Sequence, residues 1–230
     1  AAEASLRCGA GLVQAATRPE HVAALVARVP EVMAKGVNSQ QEFAPLLESA
    51  DVIVVGPGLG LASWSVQGLQ LALASGRPLV LDADALNLLA AGKVKNFAAA
   101  NNYILTPHPG EAARLLNCST ADVQSDRFAA VRALQLRFGG VVVLKGNGSL
   151  IATAEQVLLS DYGNPGMASG GMGDVLSGVI GALLAQHVPA AEAAALGVCL
   201  HGAAADIAAE GGMRGLVASD LIPPMRLLLG

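Results

Sequence analysis

The sequence predicts an α/β domain built on a mostly parallel, doubly wound sheet. Three observations carry this. Apolar runs of strand length, DVIVV at Asp51–Val55, PLVL at Pro78–Leu81 and VVVL at Val141–Leu144, have the unbroken character of strands buried on both faces. Segments of helical period alternate with them. Glycine or proline loops follow the strand ends, where ligands sit in open α/β sheets. A chain of 230 residues suits one core.

In order, residues 1–8 read as the end of a helix closed by Gly9-Ala10-Gly11, and Leu12–Ala16 as a short strand. His21–Arg28 is helical, with Val22, Leu25 and Val26 on one face. Glu31–Ala34 is a candidate strand and Gln40–Ala50 a helix. After the Asp51–Val55 strand come the loop Gly56–Gly60 and a helix to Ser75. The Pro78–Leu81 strand is followed by a helix at Ala85–Ala91. Tyr103–Leu105 is a strand ending in Thr106-Pro107, Glu111–Leu116 and Asp122–Phe138 are helical, and Val141–Leu144 is a strand. Ser149–Thr153 and Gln156–Ser160 alternate as a β-hairpin does. The glycine-rich loop Gly163–Gly173 leads to helices at Asp174–Gln186, Ala190–Ala209 and Asp220–Leu229. A doubly wound fold normally opens on a strand, so an earlier strand and loop are expected ahead of the first helix.

Composition narrows the function. Hydrophobic residues make up 53% and aromatics 3%, so the core is built from Ala, Leu and Val, with helices packed closely through small side chains. A net charge of −4 without a basic run argues against a nucleic-acid partner. No stretch of eighteen apolar residues is free of charge or proline, and the amino-terminal segment lacks the order of a secretion signal, so neither a membrane span nor export is expected. Cys8, Cys118 and Cys199 are odd in number and far apart, with no C-x-x-C. They read as three buried thiols of a reducing cytosol rather than as a disulfide framework or zinc site.

The strongest chemical signal is NPGMASGGMGD at Asn164–Asp174, leading into the apolar helix VLSGVIGALLA. Glycine lets the backbone turn sharply and approach a ligand, and a helix start offers unpaired N–H groups and a positive dipole end. Asp174 stands at that start, either as a cap taking those N–H groups itself or as a base facing a hydroxyl beside a phosphate. KGNGS at Lys145–Ser149 follows VVVL directly. It is either a loop wrapping a nucleotide, with Lys145 offsetting phosphate charge, or a hairpin turn with a solvated lysine. No G-x-x-x-x-G-K-[ST] loop occurs.

GPGLG at Gly56–Gly60 is a ligand loop or a tight strand-to-helix turn. Leu61 stands where the dinucleotide fingerprint needs glycine, which disfavours a hydride-transfer site. In LDADALN, Leu81–Asn87, Asp82 and Asp84 lie at a strand end. They would reach a ribose, a magnesium ion or a substrate amide, or cap the next helix, the role assigned to Asp84. In TPHPGE, Thr106–Glu111, two prolines lock the loop around His108, which is a ligand contact or a structural histidine. Glu111 is a first-turn residue favoured by the helix dipole or a neighbour of magnesium. His21, His187 and His201 have no informative context. These loops together line the strand ends, as an active-site crevice requires.

GPGLG, LDADALN, TPHPGEAARLL, VVVLKGNGS, NPGMASGGMGDVLSG and HGAAAD (His201–Asp206), in this order, resemble the dehydratase domain of bacterial bifunctional NAD(P)H-hydrate repair enzymes. This is the ADP-dependent NAD(P)H-hydrate dehydratase family, and the likeness covers nearly the whole chain. The resemblance implies a ribokinase-like three-layer α/β fold over residues 1–230, a mostly parallel central sheet flanked by helices, and a homotetramer. It implies dehydration of the S epimer of hydrated NADH or NADPH with ADP as co-substrate and Mg2+. On that likeness Asp174 is the catalytic base, and the amides of Gly171, Met172 and Gly173 form an anion hole. Lys145, Gly146, Asn147, Gly148, Ser149 and Gly173 bind the nucleotide. Gly58, Gly60, His108 and Asp174 contact the hydrated cofactor, and Asp82, Asn87 and Asn164 line the same region. Glu111 is the candidate metal neighbour. Ser149 takes the place of the family's usual threonine and keeps its hydroxyl. The family's earlier strand and cofactor-touching loop do not precede Ala1, so low turnover is expected of this chain alone. Two other readings stay open: a small-molecule kinase of the same fold, such as a hydroxyethylthiazole kinase relative, and a nucleotide-binding module without activity.

Overall fold

The computed structural model describes residues 1–95 and 97–230. Helix α1 (Ala2–Arg7) is followed by β1 (Gln14–Thr17), α2 (Pro19–Arg28), β2 (Met33–Gly36) and α3 (Gln40–Glu48). Then come β3 (Ile53–Val55), α4 (Ser63–Ala74), β4 (Leu79–Leu81), α5 (Ala83–Ala90), β5 (Tyr103–Leu105), α6 (Pro109–Leu116), α7 (Thr120–Ser125), α8 (Arg127–Phe138) and β6 (Val141–Leu144). The chain closes with β7 (Ser149–Ala152), β8 (Val157–Ser160), α9 (Met172–Ala185), α10 (Ala190–Ala208) and α11 (Ile222–Leu229), with 3-10 turns at Pro165–Met167 and Ala218–Leu221.

The central sheet has the order β3-β4-β5-β6-β7-β8, parallel from β3 to β6 and antiparallel beyond. Its pleat sorts the side chains. Leu79, Leu81, Leu105, Val142 and Leu144 face α4, α5, α6 and α8, while Val80, Ile104, Val141, Val143 and Ile151 face α9 and α10. Both faces are covered, which is why the strands read as unbroken apolar runs. Each fully buried Leu or Val contributes about 1.5–3 kcal/mol relative to exposure. Small residues do bring the layers close: a methyl on Gly181 would lie 2.5 Å from Val54 Cγ2, and one on Gly197 2.8 Å from Ile180 Cγ1.

Several expectations change. Of the three thiols only Cys8 is buried: Cys199 is partly covered and Cys118, just after α6, is exposed. The parallel strands run in sequential order without a reversal, so the sheet is not doubly wound. Right-handed crossovers in one direction put α4 to α8 on a single face, and the other face is filled by α9 and α10, with α1 packed on α9. The strands expected at Leu12–Ala16 and Glu31–Ala34 lie at Gln14–Thr17 and Met33–Gly36, with starts two residues later, and pair with each other in a separate parallel ribbon. That ribbon is anchored near α4, where Trp64 Nε1 donates to Val37 O at 2.8 Å and the Trp64 ring packs on Phe43 at 5.1 Å. The helix expected over Asp122–Phe138 is broken at Asp126 (φ −145°, ψ 85°), whose carboxylate caps α8 by accepting from Ala129 N at 2.9 Å. Helix α10 has 19 residues and a mean hydropathy of 1.2, long and apolar enough to cross a membrane, yet it packs against α9 and the sheet.

Candidate active site

Helix α9 begins at Met172, whose buried side chain anchors the end of the glycine loop in the core beside α10 and α11. Gly171 takes the left-handed conformation (φ 86°) and offers no side chain to cap the helix. The first intrahelical bond runs from Val175 N to Gly171 O at 3.0 Å, which leaves the amides of Met172, Gly173 and Asp174 ahead of the hydrogen-bond ladder. Such an end attracts anions. The loop before it is tied down from α10: Asp206 accepts from Gly163 N and from Asn164 Nδ2, both at 2.9 Å. Asn164 Oδ1 accepts from Gly166 N at 3.0 Å, so its whole amide is used in shaping the loop.

Asp174 is the third residue of α9 and not its cap. Its carboxylate is half-buried. Burial pushes its pKa above the ordinary carboxylate value, the Asp82 and Asp84 charges push the same way, and the Ala1 ammonium group and Lys145 pull against them. A carboxylate made more basic beside open amides is suited to taking a proton.

Opposite stands a buried polar chain. Asp82, 1% exposed, accepts from Lys145 Nζ at 2.8 Å on one oxygen and from Ser177 Oγ at 2.5 Å on the other. Burial alone would raise this carboxyl, but the Lys145 ammonium and the hydrogen bonds from Lys145, Ser177 and Thr106 hold it below its ordinary value. With both oxygens taken, Asp82 orients Lys145 more than it reaches a ligand. The Lys145 side chain is 19% exposed, and a methyl on Gly173 would lie 3.0 Å from its ammonium nitrogen. KGNGS is therefore a hairpin turn between β6 and β7, as one alternative held, but its lysine is not solvated. It stands beside the amides of α9 as a second source of positive charge.

The Asp84 expectation is overturned. Asp82 occupies the cap position of α5, and Asp84 instead accepts from Gly60 N at 2.8 Å, pinning the GPGLG loop. Ala83 between them has φ 45°, a strained value for a residue with a side chain. Gly56 is required by the crossing of these two loops, since a methyl there would lie 1.7 Å from Asp82 O. Gly58 faces open space. Asn87 Oδ1 accepts from Arg114 Nε at 3.0 Å, which fixes its amide on α6.

His108 caps α6: its Nδ1 accepts from Gly110 N at 3.0 Å while Glu111 accepts from His108 N at 2.8 Å. The ring proton is thereby assigned to Nε2, on a side chain that is half exposed. Burial holds the imidazole below its usual pKa, with Lys145 and Arg114 adding to this and Glu111 opposing it. Buried Glu111 also lies 3.9 Å from Lys145 Nζ, and its Oε1 makes a 3.5 Å approach to His108 Nε2. No group of three or more His, Cys, Asp or Glu able to hold a metal ion occurs among the described residues. Both Glu111 oxygens are already engaged, by His108 and Lys145, so a divalent cation here would be carried chiefly by phosphate oxygens.

Three contributors carry no sequence signal of their own. Ser177 is a hydroxyl inside an apolar helix, one turn beyond Asp174. Arg127 donates to Leu144 O at 3.3 Å and to Asn147 O, bracketing the KGNGS turn. His201 is buried on α10 with Nε2 unpartnered, and burial pushes it down to about 4, so it stays neutral beside Met172.

The structure thus gathers Asp82, His108, Glu111, Lys145, Gly173 and Asp174 at the carboxyl ends of β4, β5 and β6 and the start of α9. Amides and an ammonium converge where a phosphate would lie, with a basic carboxylate alongside. A family model described as NAD(P)H-hydrate dehydratase matches residues 1–225. The bifunctional NAD(P)H-hydrate repair enzyme Nnr of Coxiella burnetii is 52% identical over 231 residues, which cover 100% of this chain and 46% of that protein. The chain thus spans about half the length of this relative. The ADP-dependent (S)-NAD(P)H-hydrate dehydratase of Neisseria meningitidis is 43% identical, with 99% of this chain and 78% of that one covered. The structure superposes on the ADP/ATP-dependent NAD(P)H-hydrate dehydratase of Bacillus subtilis, co-crystallised with ATP/Mg2+ and soaked with CoA, with TM-score 0.83, 26% identity, and 100% and 85% of the two chains covered. The ribokinase-like three-layer architecture is shared with such neighbours. With one family model running from its first residue to Met225, the chain belongs to the NAD(P)H-hydrate dehydratase family.

Proposed function

We propose that this chain carries out the ADP-dependent dehydration of the S epimer of hydrated NADH or NADPH, restoring the reduced dinucleotide and releasing AMP and phosphate. The observation that carries the reading is Asp174: a carboxylate raised in pKa, free of any capping duty, beside the open amides of α9 and the Lys145 ammonium. The names of the Coxiella and Neisseria relatives support the substrate class.

In this mechanism the ring hydroxyl attacks the β-phosphorus of ADP, its proton passes to Asp174, and the phosphorus–oxygen bond to AMP breaks. Charge gathering on the transferred group is met by the amides of Gly171, Met172 and Gly173 and by Lys145. The ring-nitrogen lone pair then expels phosphate from carbon, and loss of a proton from the neighbouring ring carbon restores the double bond. His108, through Nε2–H, and Gly58 and Gly60, held by Asp84, face the hydrated ring. Bound Mg2+ would neutralise phosphate charge, held chiefly by phosphate oxygens, with Glu111 close by as a neighbouring carboxylate. The chain is also proposed to self-associate, as the family likeness to homotetramers suggests. Edge strand β8, with Leu158 and Leu159 exposed, supports this.

Asp174→Asn tests the assignment. Recovery of reduced-ring absorbance from the hydrate with ADP should fall by about 10²–10⁴-fold, while ADP binding persists. Unchanged turnover removes Asp174 as the base. Accumulation of a stable phosphorylated alcohol in place of free phosphate would make the protein a kinase.

A further inference from the structure

We propose that Arg127 is the positioning residue that holds the Lys145–Ser149 turn in its nucleotide-receiving shape, an inference that rests on reading that turn as the nucleotide loop. Arg127 is the first residue of α8, and its place is fixed by the Asp126 cap. Its guanidinium reaches across to two carbonyls of one turn, Nη2 to Leu144 O at 3.3 Å and Nη1 to Asn147 O. A rigid fork that spans two acceptors fixes the distance between them, which a lysine cannot do.

The consequence follows from peptide planarity. In a trans peptide the N–H points opposite to the preceding C=O. Turning the Leu144 carbonyl to Arg127 turns Lys145 N the other way, where it donates to Pro107 O at 2.9 Å. The root of the Lys145 side chain is therefore held from both sides. Turning the Asn147 carbonyl to Arg127 likewise turns the Gly148 N–H away from it, as a donor for an incoming phosphate. Gly146 completes the arrangement: with φ 149° and a would-be methyl 3.0 Å from Arg127 Nη2, it lets the turn close over the guanidinium. Arg127 Nε is buried without a hydrogen-bond partner, a cost carried at this position and at one other among the described side chains. Arg127 acts through the turn and touches neither Asp174 nor the α9 amides in this structure.

Calorimetric titration of the whole chain with ADP and Mg2+, paired with steady-state turnover, tests this. Wild-type protein that binds no ADP overturns the nucleotide-loop reading and this inference with it. Given wild-type binding, Arg127→Ala should weaken ADP by about tenfold or more, as loss of two charge-assisted hydrogen bonds requires. In that variant the KM for the hydrated dinucleotide should stay near wild type, and any fall in kcat at saturating ADP should accompany the loss of ADP affinity, since Lys145 shares the turn. Arg127→Lys should recover only part of the ADP affinity. Should the alanine variant fail to fold, Arg127→Gln, which is shorter but keeps a methylene stem and one donor group, gives the same readout. ADP affinity equal to wild type in the folded variant, or a dinucleotide KM raised as far as ADP affinity falls, overturns the proposal.

Discussion

Asp82 and Asp174 are carboxylates near one another that their surroundings drive in opposite directions. Asp174 is raised, so kcat/KM should fall on the acid side with a midpoint above the ordinary carboxylate value, and that limb should vanish in Asp174→Asn. A limb at the ordinary value would mean that the surroundings measured in the working enzyme differ from those seen here. Asp82 is depressed. Its contribution to stability is present above the unfolded value of 3.8 and is lost as pH falls through the lower folded value. Removing this carboxylate leaves the Lys145 ammonium without its nearest partner, and Asp82→Ala should cost about 3 kcal/mol in urea unfolding. A loss below about 1 kcal/mol would show that Glu111 takes over the lysine. The residue types of this site were visible in the sequence because they lie in loops after buried strands. Ser177 was not, since a serine in an apolar helix has no pattern until its turn is docked on Asp82. Asp84 was misplaced for a related reason: its acceptor duty lies with Gly60, 24 residues away, where local capping rules do not reach.

At the scale of elements, the central strands β3, β4 and β6 were legible because burial on both faces leaves no polar alternation to confuse them. The ribbon of β1 and β2 was less so, because its exposed, mixed composition sets no sharp boundary. The break between α7 and α8 was missed because Asp126 looks like any polar helix residue until its carboxylate turns back on Ala129 N. Loop GPGLG separates space from conformation. Gly56→Ala should unfold the protein or cost several kcal/mol, because its methyl would overlap the Asp82 carbonyl at 1.7 Å. Gly58→Ala faces open space and should cost about 1–2 kcal/mol for its left-handed φ of 62°. Thermal melts of the two variants check this, and equal losses would refute the crossing of these loops.

For the whole molecule, edge strand β8 is the surface proposed for self-association, with Leu158 and Leu159 exposed. If self-association uses it, Leu159→Lys should lower the mass measured by light scattering behind a sizing column, with circular dichroism unchanged. Unaltered mass would move the contact elsewhere. The sheet's covering was the part least readable in advance: alternation of strands and helices fits both a reversing and a sequential strand order, and only the packed faces tell them apart.

The same layout sets a timetable for the chain during its synthesis. Lys145 meets Asp82 across 63 residues, and Ser177 meets the same carboxylate across 95. On the ribosome, β3 to β6 can layer with α4 to α8 and bring Lys145 to Asp82, while that carboxylate still waits in water for its hydroxyl. Affinity for phosphate then arises in one late step, when α9 emerges and docks. A stalled nascent chain ending before Met172 should be retained poorly on immobilised nucleotide, and one carrying α10 as well should be held.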